Sequence, residues 1–223
     1  MHLFVNYDFD LPKELALLIS GVPGVGKTTI SYEILKAFEE FRIIEETDIM
    51  RETLLGYNNY LRNILSNDIY LLNRIDITDH TKLLSFADAV EQCKIMTNSI
   101  SKIIERQRRK KIPIIINGVH IIPEILCSVL ESESLVYINL YVNNESVLRS
   151  RLEARDSNSY MLDHVSFIFE SNSDLFDSTH KLTEAFPNKV FNIDVSELSV
   201  SETLSEVEKC LARRFISLQW EAK

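Results

Sequence analysis

The stretch that decides the fold is Leu15-Ala-Leu-Leu-Ile-Ser20, followed by Gly21-Val22-Pro23-Gly24-Val25-Gly26-Lys27-Thr28. The first six residues are a short apolar run closed by glycine. That pattern predicts a strand buried on both faces. The next eight fit G-x-x-x-x-G-K-[ST] at every fixed position. The chain has only five glycines, and Gly21, Gly24 and Gly26 cluster within this loop. Glycines let successive backbone N–H groups turn inward around an anion. From Lys27 to Glu40 the residues Ile30, Ile34, Leu35 and Phe38 recur at helical spacing, so a helix follows. Its N-terminus adds a positive end for phosphate. A plain glycine-rich turn before a helix is the weaker reading, because motif and context occur together. The expectation is a nucleoside triphosphate site built from Gly21, Gly24, Val25, Gly26, Lys27, Thr28 and Thr29. Lys27 reaches the β- and γ-phosphates, and the Thr28 hydroxyl ligates Mg²⁺.

Outward from this loop, Phe41–Glu45 reads as a second strand. Strand, loop, helix, strand is a βαβ unit, which requires a parallel sheet. Ile112–Ile116, Leu135–Val142 and Lys189–Ile193 supply three more short apolar strands. Helices are expected over Asp48 to about Asp76, with Leu54, Leu61, Ile64, Leu65, Ile69 and Leu72 facing inward. Others are expected over Thr81–Lys111 (capped by Thr78 or Asp79), Pro123–Leu130, Glu145–Arg155 and Val200–Ile216. Ser157–Ala185 reads as alternately helical and loop-like. Five strands alternating with helices predict an α/β fold, a three-layer sandwich around a five-stranded parallel sheet. At 223 residues the chain is about one and a half typical domain lengths. One domain over 1–223 is expected, with the helical stretch 48–111 as an insertion that shapes an acceptor pocket. Residues 143–160 are expected to form a lid-like segment.

Apolar residues make up 45% of the chain and charged residues 26%, which excludes disordered and collagen-like classes. Net charge is 24 − 33 = −9. Such an acidic chain is poorly suited to wrapping nucleic acid or an anionic membrane, whereas a small phosphorylated ligand needs only a local positive pocket. Cys93, Cys127 and Cys210 are odd in number and lack metal or disulfide spacing, so they read as thiols in a reducing compartment. The N-terminus carries no secretory pattern, and no apolar run approaches the roughly 18 residues of a membrane helix. A cytoplasmic protein is expected.

Asp48-Ile49-Met50-Arg51 follows the second strand, at the carboxyl edge of a parallel sheet and so near the phosphate loop. A carboxylate there accepts the proton of an attacking hydroxyl. An arginine one helical turn on binds an anionic substrate group. The competing reading is an Asp N-cap with Arg51 on a solvated face. Arg149, Arg151 and Arg155 lie on the helix after the fourth strand, the last two sharing a face at i,i+4 spacing. They are suited to closing over bound phosphates, with Arg149 toward the nucleotide; the alternative is an exposed basic helix paired with Glu145 and Glu153. After the third strand, where phosphate-loop proteins often carry an acid for the Mg²⁺ shell, stands neutral Asn117, leaving Glu46 or Asp48 to supply the charge. Asn117 and His120 are candidates for substrate contact at this edge. The basic run Arg106, Arg108, Arg109, Lys110 and Lys111 suits a helix C-terminus and, secondarily, a nucleic-acid strand. Asp163-His164 and His180 have no metal-ligand spacing, and Tyr57, Tyr60 and Tyr70 read as core or pocket wall.

Taken together, Gly21–Thr28, Asp48-x-x-Arg51 and Arg151-x-x-x-Arg155 resemble the kinase module of polynucleotide kinases and related hydroxyl kinases of the phosphate-loop superfamily. Ile115-Ile116-Asn117-Gly118-Val119-His120-Ile121-Ile122-Pro123 is similar to the "EGVHxxP" segment of 2-phosphoglycerate kinases, with Asn117 in place of the acid. The resemblance implies the strand order 2-3-1-4-5. It implies Asp48 as general base or hydroxyl ligand, Arg51 as a ligand of substrate phosphate, and Arg151 and Arg155 as lid residues. The activity so implied is transfer of the γ-phosphate of ATP, with Mg²⁺, to a hydroxyl of a small anionic metabolite such as 2-phosphoglycerate. Two rivals are a polynucleotide 5′-hydroxyl kinase and a nucleotide-binding regulatory protein with little turnover.

Overall fold

The computed structural model describes residues 9–64, 85–126, 131–156 and 160–221. The strands β1 (Ala16–Ser20), β2 (Ile43–Glu46), β3 (Ile114–Asn117), β4 (Leu135–Tyr141) and β5 (Val190–Asp194) pair in the order β2-β3-β1-β4-β5. Every pairing is parallel. The α/β class and the order 2-3-1-4-5 expected from the sequence are those observed. The helices among the described residues are α1 (Lys27–Ala37), α2 (Thr47–Ile64), α3 (Phe86–Lys110), α4 (Glu145–Arg155), α5 (Val165–Ala185) and α6 (Val200–Glu221), with a 3₁₀ turn at Tyr160–His164.

The unbroken apolar run of β1 follows from its central place. Leu17 and Ile19 pack with Ile30 and Ile34 of α1 and with Val207 and Leu211 of α6. Ala16 and Leu18, on the opposite face, pack with Met96, Ile100 and Ile104 of α3 and with Leu175 of α5. None of these β1 side chains is more than 1% exposed. Burying each larger one contributes up to about 1.5–3 kcal/mol. With period-2 alternation, two buried faces demand apolar residues at every position. The parallel sheet then gathers all strand carboxyl ends at one edge. There the phosphate loop leaves β1, α2 leaves β2, and the segment from Gly118 leaves β3.

Element boundaries differ from expectation in ways the side chains explain. α1 stops at Ala37, because Phe38 turns to extended backbone (φ −116, ψ 104) and sets its ring edge-on to Phe41 at 6.4 Å. α3 starts at Phe86, because Ser85 and Asp88 form a reciprocal capping box. The capping residues expected from the sequence, Thr78 and Asp79, lie outside the described residues, as do Leu65, Ile69, Leu72, Tyr70, Cys127 and the side chains of Tyr60, Leu61 and Ile64. The helix expected from Pro123 is a single turn over its described part, with the Leu126 N–H 3.1 Å from the Pro123 carbonyl. Tyr57 is not core: it is 61% exposed. Cys93 and Cys210 are buried free thiols. Among the described residues no helix is long and apolar enough to cross a membrane.

Candidate active site

At the carboxyl edge of the sheet lies a cleft of about 740 Å³. One wall is the phosphate loop. Gly26 caps α1 at φ +98, a left-handed conformation that favours glycine, and offers no side-chain cap. The first N–H groups of α1, at Lys27, Thr28 and Thr29, therefore have no partner within the helix, and these residues line the cleft. Thr28 and Thr29 are exposed there. Gly21 is buried at the foot of the loop and does not line the cleft. Lys27 Nζ folds back to donate to the Val22 carbonyl at 2.9 Å. Its proton affinity falls from 10.5 to about 8, chiefly through burial, with Asp48 and Glu46 opposing the fall and Arg155 adding to it. The half-buried lysine, both acids and Arg155 thus share one electrostatic neighbourhood.

The opposite wall comes from the ends of β2 and β3. Glu46 and Asn117 are register partners and both line the cleft, with Asp48 beside them. The Asn117 amide donates to Ser31 Oγ on α1 at 2.9 Å, which ties β3 to the helix of the phosphate loop. Gly118 is needed for close approach: a Cβ there would overlap the Thr47 side chain. The same approach brings His120 Nδ1 to 2.9 Å from Thr47 Oγ1 and 3.7 Å from Asp48 Oδ1. His120 is fully buried and outside the cleft, whereas the Asp48 carboxylate is 58% exposed within it. Burial holds His120 down to about 4, against the pull of Asp48, so the ring is neutral at pH 7. Arg51 sits one turn along α2, its side chain 15% exposed and 3.5 Å from Glu52, and does not line the cleft.

The three arginines of α4 diverge. Arg155 is exposed and lines the cleft. Arg151 lines it too, but its guanidinium donates to the Val25 carbonyl in the phosphate loop at 3.3 Å and to the Val195 carbonyl after β5. It braces the loop against the far side of the sheet. Arg149 points elsewhere, toward Glu145 at 3.9 Å and the Leu162 carbonyl at 3.5 Å. Of the residues expected from sequence, Gly24, Val25, Gly26, Lys27, Thr28, Thr29, Asp48, Asn117, Arg151 and Arg155 are brought together. Gly21, Arg51, His120 and Arg149 are not in the lining. Sequence reasoning missed Met161, Leu198, Val200 and Thr203, which line the same cleft from the 3₁₀ turn and the β5–α6 junction. No contiguous motif marks them.

A G-x-x-x-x-G-K-T loop after the central strand of a parallel 2-3-1-4-5 sheet, sharing a cleft with an acid after β2 and arginines after β4, marks the phosphate-loop kinase superfamily. Within it, residues 17–174 match the family described as "AAA domain", and the chain belongs to that family. It is 28% identical over 148 residues to a 2-phosphoglycerate kinase of Methanothermobacter thermautotrophicus, a match covering 63% of this chain and 47% of that protein. The chain thus spans about half the length of that relative. It is also 28% identical over 142 residues to a mevalonate-3-phosphate 5-kinase of Thermoplasma acidophilum, covering 62% of this chain and 67% of that one. A gluconokinase structure from Sinorhizobium meliloti shares the fold, with TM-score 0.58 and 16% identity over 95% of this chain and 99% of that chain.

Proposed function

We propose that the chain transfers the γ-phosphate of ATP to a hydroxyl of a small, already phosphorylated metabolite, 2-phosphoglycerate being the first to try. The observation that carries this reading is the meeting of Lys27 and Asp48 in one cleft, the cation from the phosphate loop and the carboxylate from the end of β2. The loop N–H groups and Lys27 hold the β- and γ-phosphates. Asp48 accepts the proton of the acceptor hydroxyl, whose oxygen attacks the γ-phosphorus as the bond to the β–γ bridging oxygen breaks. ADP leaves with the electron pair of that bond, and Arg155 offsets the charge that develops.

The residues also fit Mg²⁺: the exposed Thr28 and two acids, Glu46 and Asp48, line the same cleft. Held by Thr28, Glu46 and Asp48, the ion would supply positive charge that offsets the charge of the phosphate groups. With Asn117 neutral, the negative charge on this wall comes from Glu46 and Asp48. The apolar end formed by Met161, Leu198 and Val200 suits the purine base. In this reading Arg51 meets the acceptor's own phosphate, 48–111 is the acceptor-side insertion, and 143–160 is the lid of a single domain, 1–223. The 2-phosphoglycerate kinase and the mevalonate-3-phosphate 5-kinase are each named for an already phosphorylated acceptor, which supports a phosphorylated acceptor here. A cytoplasmic setting accords with such a metabolite.

The polynucleotide reading is less well supported. Its gripping residues, Arg106 to Lys111, close α3 just ahead of β3, at the amino edge of the sheet and away from the cleft. The test is incubation with γ-labelled ATP and Mg²⁺ against 2-phosphoglycerate, mevalonate 3-phosphate and 5′-hydroxyl oligonucleotides. Label in a phosphorylated small acid or alcohol is expected. Label only in the oligonucleotide, or in nothing despite tight ATP binding, would overturn the proposal.

A further inference from the structure

A buried chain of hydrogen bonds runs between the two walls of the cleft without entering it. Its first end is Ser20, the residue immediately before the phosphate loop. The Tyr137 hydroxyl on β4 lies 2.6 Å from Ser20 Oγ and 3.0 Å from the Ile121 carbonyl. Ser20 Oγ also donates to Asn139 Oδ1 at 3.0 Å, and the Asn139 amide donates to Asn192 Oδ1 at 2.9 Å, which anchors this end across β1, β4 and β5. Ile121 adjoins His120, whose Nδ1 meets Thr47 Oγ1. Thr47 is the residue immediately before Asp48. The segment between is tied a third time, where the Gly118 N–H donates to the Ile19 carbonyl at 3.0 Å. Ser20, Thr47, His120, Tyr137 and Asn139 are all fully buried.

Polar side chains in such a place are costly relative to apolar ones of the same shape, and His120 Nε2 has no hydrogen-bond partner among the described residues. An apolar core at positions 120 and 137 would pack as well and would fix nothing directional. What the chain supplies is direction: each bond sets the position of a backbone segment that leads into the cleft.

We propose that Ser20, Tyr137, His120 and Thr47 form a positioning frame that sets the distance and orientation of Asp48 relative to the phosphate loop. This rests on the reading of Asp48 as the acceptor-side acid. None of the four touches substrate. They act through the residues that follow them, Gly21 for Ser20 and Asp48 for Thr47. The frame explains why Gly118 must lack a side chain, since a Cβ there would displace Thr47 and with it the start of α2.

The experiment compares variants that keep or lose single bonds. His120→Asn places an amide where Nδ1 lies, and His120→Gln places it where Nε2 lies. Thr47→Ser keeps the hydroxyl, and Thr47→Val removes it at nearly constant shape. Tyr137→Phe removes the central hydroxyl. Two rates are read, transfer to 2-phosphoglycerate and acceptor-free hydrolysis of ATP, together with ATP affinity and melting temperature. Thr47→Val and His120→Gln are expected to lower kcat about 10- to 100-fold, the cost of a misplaced reacting group. ATP affinity should stay within about twofold, separating positioning from binding. Thr47→Ser and His120→Asn should recover most of kcat, Tyr137→Phe should lie between, and the double Thr47→Val/His120→Gln should be no worse than either alone.

Unchanged kcat in Thr47→Val, equal behaviour of the Asn and Gln variants, or losses of kcat matched by equal losses of ATP affinity would overturn the frame. A wild-type protein that hydrolyses ATP but does not phosphorylate 2-phosphoglycerate defeats that choice of acceptor alone, and the frame is then decided on the hydrolysis rates. A wild-type protein with no turnover of either kind overturns both.

Discussion

The two walls of the cleft are made in different ways. The phosphate-loop wall presents Pro23 to Ile30, consecutive in sequence, with Thr28 and Thr29 exposed in the cleft. The acceptor wall is assembled from Glu46, Asp48 and residues 117–119, stitched together behind the surface by the Thr47–His120 bond, which joins positions 73 apart. The first wall is local and open, poised for an anion that completes its hydrogen bonds. The second is non-local and held from behind by the Thr47–His120 bond.

That contrast can be broken at several points. The largest effect concerns how tightly the acceptor wall is sealed. His120 takes a proton at about pH 4 in the folded protein against an ordinary 6.5, through burial, with Arg51 and Lys27 opposing the charge and Asp48 favouring it. Because the folded value is the lower one, the unfolded chain binds the proton first as pH falls. The associated stability is whole above pH 6.5 and is lost progressively down to about pH 4. It amounts to something on the order of 3 kcal/mol. Urea midpoints across that window should fall for wild type and fall less for His120→Asn. Parallel curves would mean the ring is open to water.

Next is the division of labour on α4. Arg151 braces the carbonyls of Val25 and Val195, so Arg151→Ala should cost about 2 kcal/mol and lower the melting temperature by roughly 4–8 °C. Arg155→Ala should leave the melting temperature alone and lower the transfer rate about tenfold or more. Reversed assignments would show that Arg151 works on the ligand and Arg155 on the fold. The smallest effect is on protons. With Lys27 near half-charged at pH 8, binding of the ATP tetra-anion should restore its charge and take up about half a proton. Calorimetry in two buffers of different ionisation heat reads that number directly, and zero uptake would mean Lys27 is fully charged before ATP arrives.

The open wall was legible in the sequence and the sealed wall only in outline. Gly21–Thr28 carries its meaning in eight neighbouring residues, and the alternation of short apolar strands with helices was enough for the sheet, its order being implied by resemblance. Asp48 was reachable because a parallel sheet puts every strand end at one edge. The role of Arg151 was not, since its two carbonyl partners stand 126 and 44 positions away and carbonyls leave no mark on composition. His120 read as a substrate contact because its segment does lie at the active edge. It is buried against Thr47, which also fills the space above Gly118, a contact between the start of α2 and the turn after β3 that no local pattern encodes. Met161, Leu198 and Val200 are ordinary apolar residues until the fold brings them into the cleft.

The most direct test of this division is a paired measurement of ATP affinity and phosphoryl transfer in Lys27→Ala and Asp48→Asn. The account predicts that Lys27→Ala loses ATP affinity and transfer together. Asp48→Asn should bind ATP within about twofold of wild type and lose transfer by about 100-fold or more. Full transfer in Asp48→Asn, or equal loss of ATP binding in both variants, would contradict it.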